Sequence, residues 1–386
     1  MASINLQGDT SGSISISAPS VAGSNTLTLP ATTQTLATQN SLGVRNLIIN
    51  GDMRIDQRNA GASVTPTDGL YTVDRWLFRV SQASKLTAQR VTDAPTGFDY
   101  SLKVTSSSAY TVGVSDFFEC EQRIEGNNVY QLDLGTSDAK TITISFWVKS
   151  SLTGTFGGSL ANVAFNRSYP FEYTISSANT WEKKTVTVAL DTTGTWATDN
   201  TIGLRVQFGL GVGNNWAGTA GSWIATGTWS ATGATSVVGT SGATWQLTGV
   251  QVEVSDGVAT PFEHRPYDME LQRCQRYYEK SYNISQSVGA STSAGQEYFQ
   301  VAGARNINYG LYTTHYKVPK RASCTVTLYS QNGTSGYLSN GDSGANLGTG
   351  GVLFISSENM FVSKNTGSTI ADGTVISYQW TAESEL

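Results

Sequence analysis

Charge is the first shortage. Only 14% of the 386 residues are Asp, Glu, Lys or Arg, against about 25% in an average soluble domain. Disorder goes with high net charge and few aromatics. Here the net charge is -5, with nine Trp, seventeen Tyr and thirteen Phe, so the chain folds. Ser, Thr, Gly and Asn stand where charge is missing. With β-branched and aromatic residues they make up the palette of half-buried strands and tight turns, and the chain reads as all-β.

Histidine is scarcer still. His264 and His315 are the only two, so a Ser-His-Asp or Cys-His arrangement has two chances in the whole chain. The chain is read as a non-enzyme with no catalytic residue, although carboxylate-only mechanisms pass this filter. Cys120, Cys274 and Cys324 close one internal bridge at most, a poor disulfide framework that fits synthesis in a reducing cytosol. The longest aliphatic or aromatic run is Val352-Leu353-Phe354-Ile355, far short of the ~20 residues that span a bilayer. Residues 1–10 hold neither a basic nor an apolar signal region, so no secretory signal and no membrane insertion are expected. Acids outnumber bases 29 to 24 without a basic block, which argues against nucleic acid as a partner. No cofactor is expected.

Residues 1–42 contain no aromatic side chain and one charge, Asp9. Apolar pairs recur in alternation at Ile4 and Leu6, Ile14 and Ile16, and Leu27 and Leu29, with turn formers between them. Each pair predicts a very short strand with one apolar face. Six aliphatic side chains do not offset the entropy of ordering some forty residues, so the segment pairs with other chains or stays a tail. Regular alternation favours pairing, with three sister chains closing a core around a threefold axis.

From Asn46 onward, period-two strands follow one another. The clearest places Ile142, Ile144, Phe146 and Val148 on one face. Leu102 and Val104, Val186 to Leu190 and Leu204 to Phe208 are further strands, and the run from Trp245 to Val254 changes phase at Gly249, a bulge signal. Many short strands with turn-rich spacing predict a jelly-roll β-sandwich over 43–265. Pro266 and Asp268 start a connecting helix over 266–282, with Asp268 as N-cap and a seam at Tyr267, Leu271, Cys274, Tyr278 and Ser281. The β pattern returns over 283–386 as a second, smaller domain.

Asn46-Leu47-Ile48-Ile49-Asn50-Gly51-Asp52-Met53 begins a series of distinctive blocks. The others are Tyr71 to Trp76, Leu247 to Glu253, Ala259 to Tyr267 running into Glu270 to Tyr278, and Thr381 to Leu386. With Ser11 to Pro19 and Leu27 to Pro30, they make the chain resemble proteins of tailed bacteriophages, marine ones in particular, identified as tail fibres or related virion proteins. The resemblance implies a virion attachment protein carrying a jelly roll similar to carbohydrate-binding modules. It implies a homotrimer, joined to other virion proteins through 1–42, that recognises a host-surface glycan. Such a protein is made in the host cytoplasm and resides on the virion as a tail or head fibre. Long fibres have extended repetitive shafts; here the repeat ends at residue 42, which favours a short fibre or a knob. A head-decorating fibre with a structural role only, and a fibre-borne polysaccharide depolymerase, are the alternatives.

Trp216, Trp223 and Trp229 lie in a Gly-, Ala-, Ser- and Thr-rich stretch. They present either aromatic platforms for the C–H faces of sugars, with Asn214 and Asn215 for the hydroxyls, or anchors that hold a long connection onto the sandwich. Asp52, Asp56 and Glu253 have the oxygen ligands of a structural calcium site but no loop motif. Gly341-Asp342-Ser343-Gly344 echoes a protease nucleophile motif without its histidine partner and reads as a turn. Asp74 with Arg75, and Glu263 with Arg265, read as local ion pairs or caps.

Overall fold

A computed structural model describes residues 3–7, 11–17, 45–255, 257–303, 305–306, 310–364 and 369–386. They fall into two units, divided between residues 43 and 44. In the first, β1 (Ser3–Gln7) and β2 (Ser13–Ser17) pair antiparallel, with Ile4 opposite Ile16 and Leu6 opposite Ile14. Ile4 and Leu6 are 63% and 55% exposed. A two-stranded hairpin by itself is marginal in water. The expected third pair, Leu27 and Leu29, lies outside the described residues.

The second unit contains the jelly-roll-like sandwich. Its strands are β3 (Leu70–Tyr71), β4 (Leu77–Val80), β5 (Leu86–Val91), β6 (Ser101–Ser106), β7 (Phe117–Glu125), β8 (Thr141–Ser150), β9 (Gly154–Ala161), β10 (Ser168–Ile175), β11 (Glu182–Ala189), β12 (Ile202–Val212), β13 (Ala217–Gly218), β14 (Ser230–Ala231) and β15 (Thr244–Val254). A six-stranded sheet runs β10-β9-β12-β7-β4-β3 and a five-stranded sheet runs β11-β8-β15-β6-β5. All pairings within the two sheets are antiparallel. The core lies between them, where Ile142, Ile144, Phe146 and Val148 of β8 meet Phe118, Phe156, Phe171 and Phe208 of the opposite sheet. The bulge expected at Gly249 is present: the register of β15 against β8 shifts between Thr248 and Gln251. Gly249 has φ +60°, and a Cβ there would lie 2.6 Å from the Phe98 ring.

Helix α1 (Tyr267–Gln275) is shorter than the sequence predicts. Pro266, not Asp268, takes the capping position, and Asp268 stands in the first turn, where its charge complements the helix dipole. The expected seam stops before Tyr278 because residues Tyr278–Lys280 form a strand paired with Thr381 to Glu383. Tertiary pairing overrides the helical spacing. The strand belongs to a sheet centred on Val375–Glu383, over a separate core of Leu328, Leu338, Val362, Ile376, Tyr378 and Trp380. Gly341 to Gly344 are the turn that the sequence predicts: Asn340 Oδ1 accepts from the amides of Asp342 and Ser343, each at 3.0 Å.

The distinctive sequence blocks converge where the two cores join. Asn50 binds Ile55 and Asp74 through its side chain and accepts from Trp76 Nε1 at 3.1 Å. Arg75 lies 3.6 Å from the Tyr277 ring, donates to the Arg123 carbonyl at 2.6 Å and pairs with Glu385. Arg58 lies 3.8 Å from the Tyr278 ring and reaches Glu383 at 3.0 Å and Glu385 at 3.1 Å. Arg276 makes a two-pronged pair with Glu125 at 2.6 and 2.9 Å, and the Tyr277 hydroxyl donates to the same carboxylate. The local pair expected between Asp74 and Arg75 is therefore replaced. Asp74 accepts from the backbone and side chain of Gln57, while Arg75, at φ +71°, serves the joint. Arg265 does face Glu263, at 3.6 Å, and binds Glu270 more closely, at 3.0 Å.

Candidate functional site

Strand alternation creates the site. Phe118, Cys120 and Ile124 of β7 enter the core, so Phe117, Glu119, Glu121 and Arg123 occupy the outer face of the six-stranded sheet. On β12, Leu204, Val206 and Phe208 point inward, leaving Arg205, Gln207 and Gly209 outside. The register aligns Arg79, Glu119 and Gly209 in one row and Leu77, Glu121, Gln207 and Ser159 in the next.

The stretch 213–231 folds onto this face. Its two ends meet through the parallel pair β13–β14 and the bond from Trp229 N to Trp216 O at 2.8 Å. Thr228 Oγ1 lies 3.0 Å from Ser159 Oγ and 2.9 Å from Ser168 Oγ. Two glycines make the close approach possible: a Cβ at Gly157 or Gly209 would lie 2.3 or 2.5 Å from Ser230 Oγ. Beneath this cover, Glu119, Glu121 and Gln207 have no solvent exposure.

The two carboxylates differ. Glu121 accepts from Arg123 Nε at 2.6 Å, Arg205 Nη1 at 3.2 Å and Gln207 Nε2 at 3.1 Å. Neither oxygen of Glu119 has a hydrogen-bond partner among the described residues. Burial, reinforced by the neighbouring Glu121, drives the Glu119 carboxyl well above the usual carboxylate range. Burial thus disfavours the ionised form of this acid.

Aromatic rings cluster at the edge of the cover. Trp229, 5% exposed, is the centre, with ring centroids 4.1 Å from Phe117, 4.6 Å from Trp216 and 5.2 Å from Phe165. Arg79, fixed by Asp68 at 2.6 Å, lies 5.7 Å from the Trp229 ring. Trp216 is the half-buried outer member; its Nε1 donates to Ser115 O at 3.0 Å, which fixes the ring plane. Beside it Asn214 and Asn215 are exposed, and Asn215 Nδ2 donates to Ser115 Oγ at 2.9 Å. Trp216, Trp229, Asn214 and Asn215 thus come together as one group. Trp223 does not join them. It packs on Tyr169 and Trp196, each 5.4 Å away, and donates to Ala189 O at 2.8 Å.

Phe117, Phe165, Arg79, Glu119, Glu121 and Arg205 were missed from sequence. The alternation Glu119, Glu121, Arg123 in a chain so short of charge was the available signal. The calcium arrangement is not assembled. Asp52 pairs with Arg54 at 2.5 Å, Asp56 accepts from the amides of Asn59 and Gly61, and Glu253 is held by Thr260 and Gln251. No group of three or more metal-ligating side chains occurs among the described residues.

The exposed edge therefore offers an oriented indole with amide groups beside it, able to stack on an apolar ring face while bonding to hydroxyls. No protein-family model matches the chain, and no curated protein matches it. Solved structures similar to it include the enzymatically active domain of tailspike protein 4 of bacteriophage CBA120, at 12% identity and TM-score 0.29, covering 53% of this chain. The chain spans 22% of that tailspike domain. TmCBM61 in complex with β-1,4-galactotriose matches at 9% identity and TM-score 0.29, over 55% of this chain and 100% of its own. The family 11 carbohydrate-binding module of Clostridium thermocellum, in complex with a β-1,3-1,4-mixed-linked tetrasaccharide, matches at 11% identity and TM-score 0.27, over 50% of this chain and 95% of its own.

Proposed function

We propose that the chain is a phage virion protein, a short fibre or knob, that attaches to host-surface glycan through the aromatic edge around Trp216. The observation that carries the binding reading is the fixed, half-buried Trp216 ring flanked by the exposed Asn214 and Asn215. A largely apolar platform with a few placed polar groups suits a sugar, whose ring has an apolar face and a hydroxyl rim. The phage setting rests on the sequence blocks described above. The exposed Ile4 and Leu6 support association of the first unit with sister chains. Binding is favoured over hydrolysis because Glu119 and Glu121 are sealed from solvent and Glu121 is committed to two arginines.

A glycan array probed with the full chain and with Trp216→Ala tests this reading. The expected result is retention of defined glycans by the native protein, lost in the variant. Equal retention by both overturns the assignment to this edge. Light scattering tests the assembly: a trimer is expected, and a monomer refutes the sister-chain pairing.

A further inference from the structure

The five-stranded sheet has a separate cleft at its β5–β6 edge, where α1 and the segment after Tyr278–Lys280 approach it. The cleft is broad and open to solvent and offers about 620 Å³, within the range of roughly 300 to 1,000 Å³ typical of small-molecule sites. Tyr100 and Tyr267 supply aromatic walls, Tyr267 being 45% exposed. Arg54 and Arg90 line it too, both immobilised. Arg90 lies 4.4 Å from the Tyr100 ring and donates to Arg54 O at 2.6 Å, and Arg54 donates to Arg265 O at 2.7 Å. The side chains of Asp99, Asn283 and Ser285 complete the wall and bond to no other described residue.

Charge decides the class of ligand. Arg54 has its own counter-charge in Asp52 at 2.5 Å, and Arg90 in Asp56 at 3.8 Å. The uncompensated group is Asp99, so an anionic ligand meets repulsion and an uncharged one does not. The exposed Tyr267 ring, guanidinium donors, a free carboxylate acceptor, an amide and a hydroxyl together match a polyhydroxylated ring. We propose that this cleft is a second glycan site, independent of Trp216, that takes one or two neutral hexopyranose units. Two sites on different sheets let one chain hold two points of a surface polymer, which raises avidity without new contacts.

Saturation-transfer NMR on the full chain tests the proposal. The probes are the methyl pyranosides of glucose, galactose and mannose, with galacturonic acid as the charged counterpart. Transfer to at least one neutral probe is expected. It should weaken by about thirty-fold in Tyr267→Ala and persist in Trp216→Ala. Asp99→Asn should raise the response to galacturonic acid, an effect that loss of folding would not produce. No transfer to any neutral probe, loss in Trp216→Ala with none in Tyr267→Ala, or a native preference for galacturonic acid would each overturn it. A response lost only in Tyr267→Ala is the expected result and leaves the Trp216 edge to the glycan array, so the two readings fail separately.

Discussion

Replacing Glu385 by Ala should unfasten the joint between the two cores. Arg75 is 1% exposed and Glu385 6% exposed, and Glu385 is the carboxylate that Arg75 pairs with. Without it, the Arg75 guanidinium keeps the Arg123 carbonyl at 2.6 Å, the Tyr277 ring at 3.6 Å and the Tyr71 ring at 6.0 Å, none of them a counter-charge. Arg58 retains Glu383, which is 46% exposed, and the more distant Asp74 at 3.9 Å. Breaking one side of a buried pair costs about 3–5 kcal/mol, since a charge is left uncompensated. The expected loss in urea unfolding, followed by tryptophan fluorescence, is of that size. Arg75→Ala/Glu385→Ala should lose less than the sum of the singles, by about 0.5–3 kcal/mol of coupling. Arg75 also has φ +71°, so Arg75→Gly should be milder than Arg75→Ala by about 1 kcal/mol. Lys140, paired with Asp133 at 2.9 Å on the exposed surface, is the control, and Lys140→Ala should leave the midpoint unchanged. Strictly additive effects at Arg75 and Glu385, or a Glu385→Ala loss no larger than the control's, would refute the reasoning.

Two pH effects and one packing effect follow from other sites. Glu119 holds its proton more tightly folded than unfolded, so its contribution to stability falls as pH rises above the unfolded value of about 4.3. Glu119→Gln should flatten that decline in thermal melts between pH 4 and 8; an unchanged slope contradicts the raised pKa of the buried carboxyl. Burial pushes the Lys280 ammonium down to about 8. Stability should therefore rise from about pH 8 towards the unfolded lysine value of about 10.4, and Lys280→Met should lose this rise. Trp229, at the centre of its cluster and 5% exposed, should cost about 3–5 kcal/mol when cut to Ala; a near-native midpoint would mean that the cover does not depend on it.

Strand character was legible because it is written in period two: Ile142 to Val148 on β8 and the phase change at Gly249 needed nothing beyond local pattern. The helix was overextended because Tyr278 keeps the right spacing, while its backbone pairs with Glu383 and its ring meets Arg58, partners more than a hundred residues away. The joint was invisible for the same reason: Arg75, Tyr277 and Glu385 fall in distinctive blocks, but no local pattern tells that these blocks meet. Spacings of seven and six gave no sign that Trp216 and Trp229 meet and Trp223 departs. The chain doubles back at the Trp216–Trp229 backbone bond, and small residues at Gly157 and Gly209 admit it. The missed acids were readable in principle, since Glu119, Glu121 and Arg123 alternate on one strand.

Glycan binding at Trp216 is the central claim, and calorimetric titration tests it most directly. The full chain is titrated with the glycan that it retains best on the array, in parallel with Trp216→Ala of unchanged melting temperature. Truncating an anchoring tryptophan costs about 2 kcal/mol or more, so the variant should bind about thirty-fold more weakly or not at all. Identical affinities for the two proteins would contradict the account.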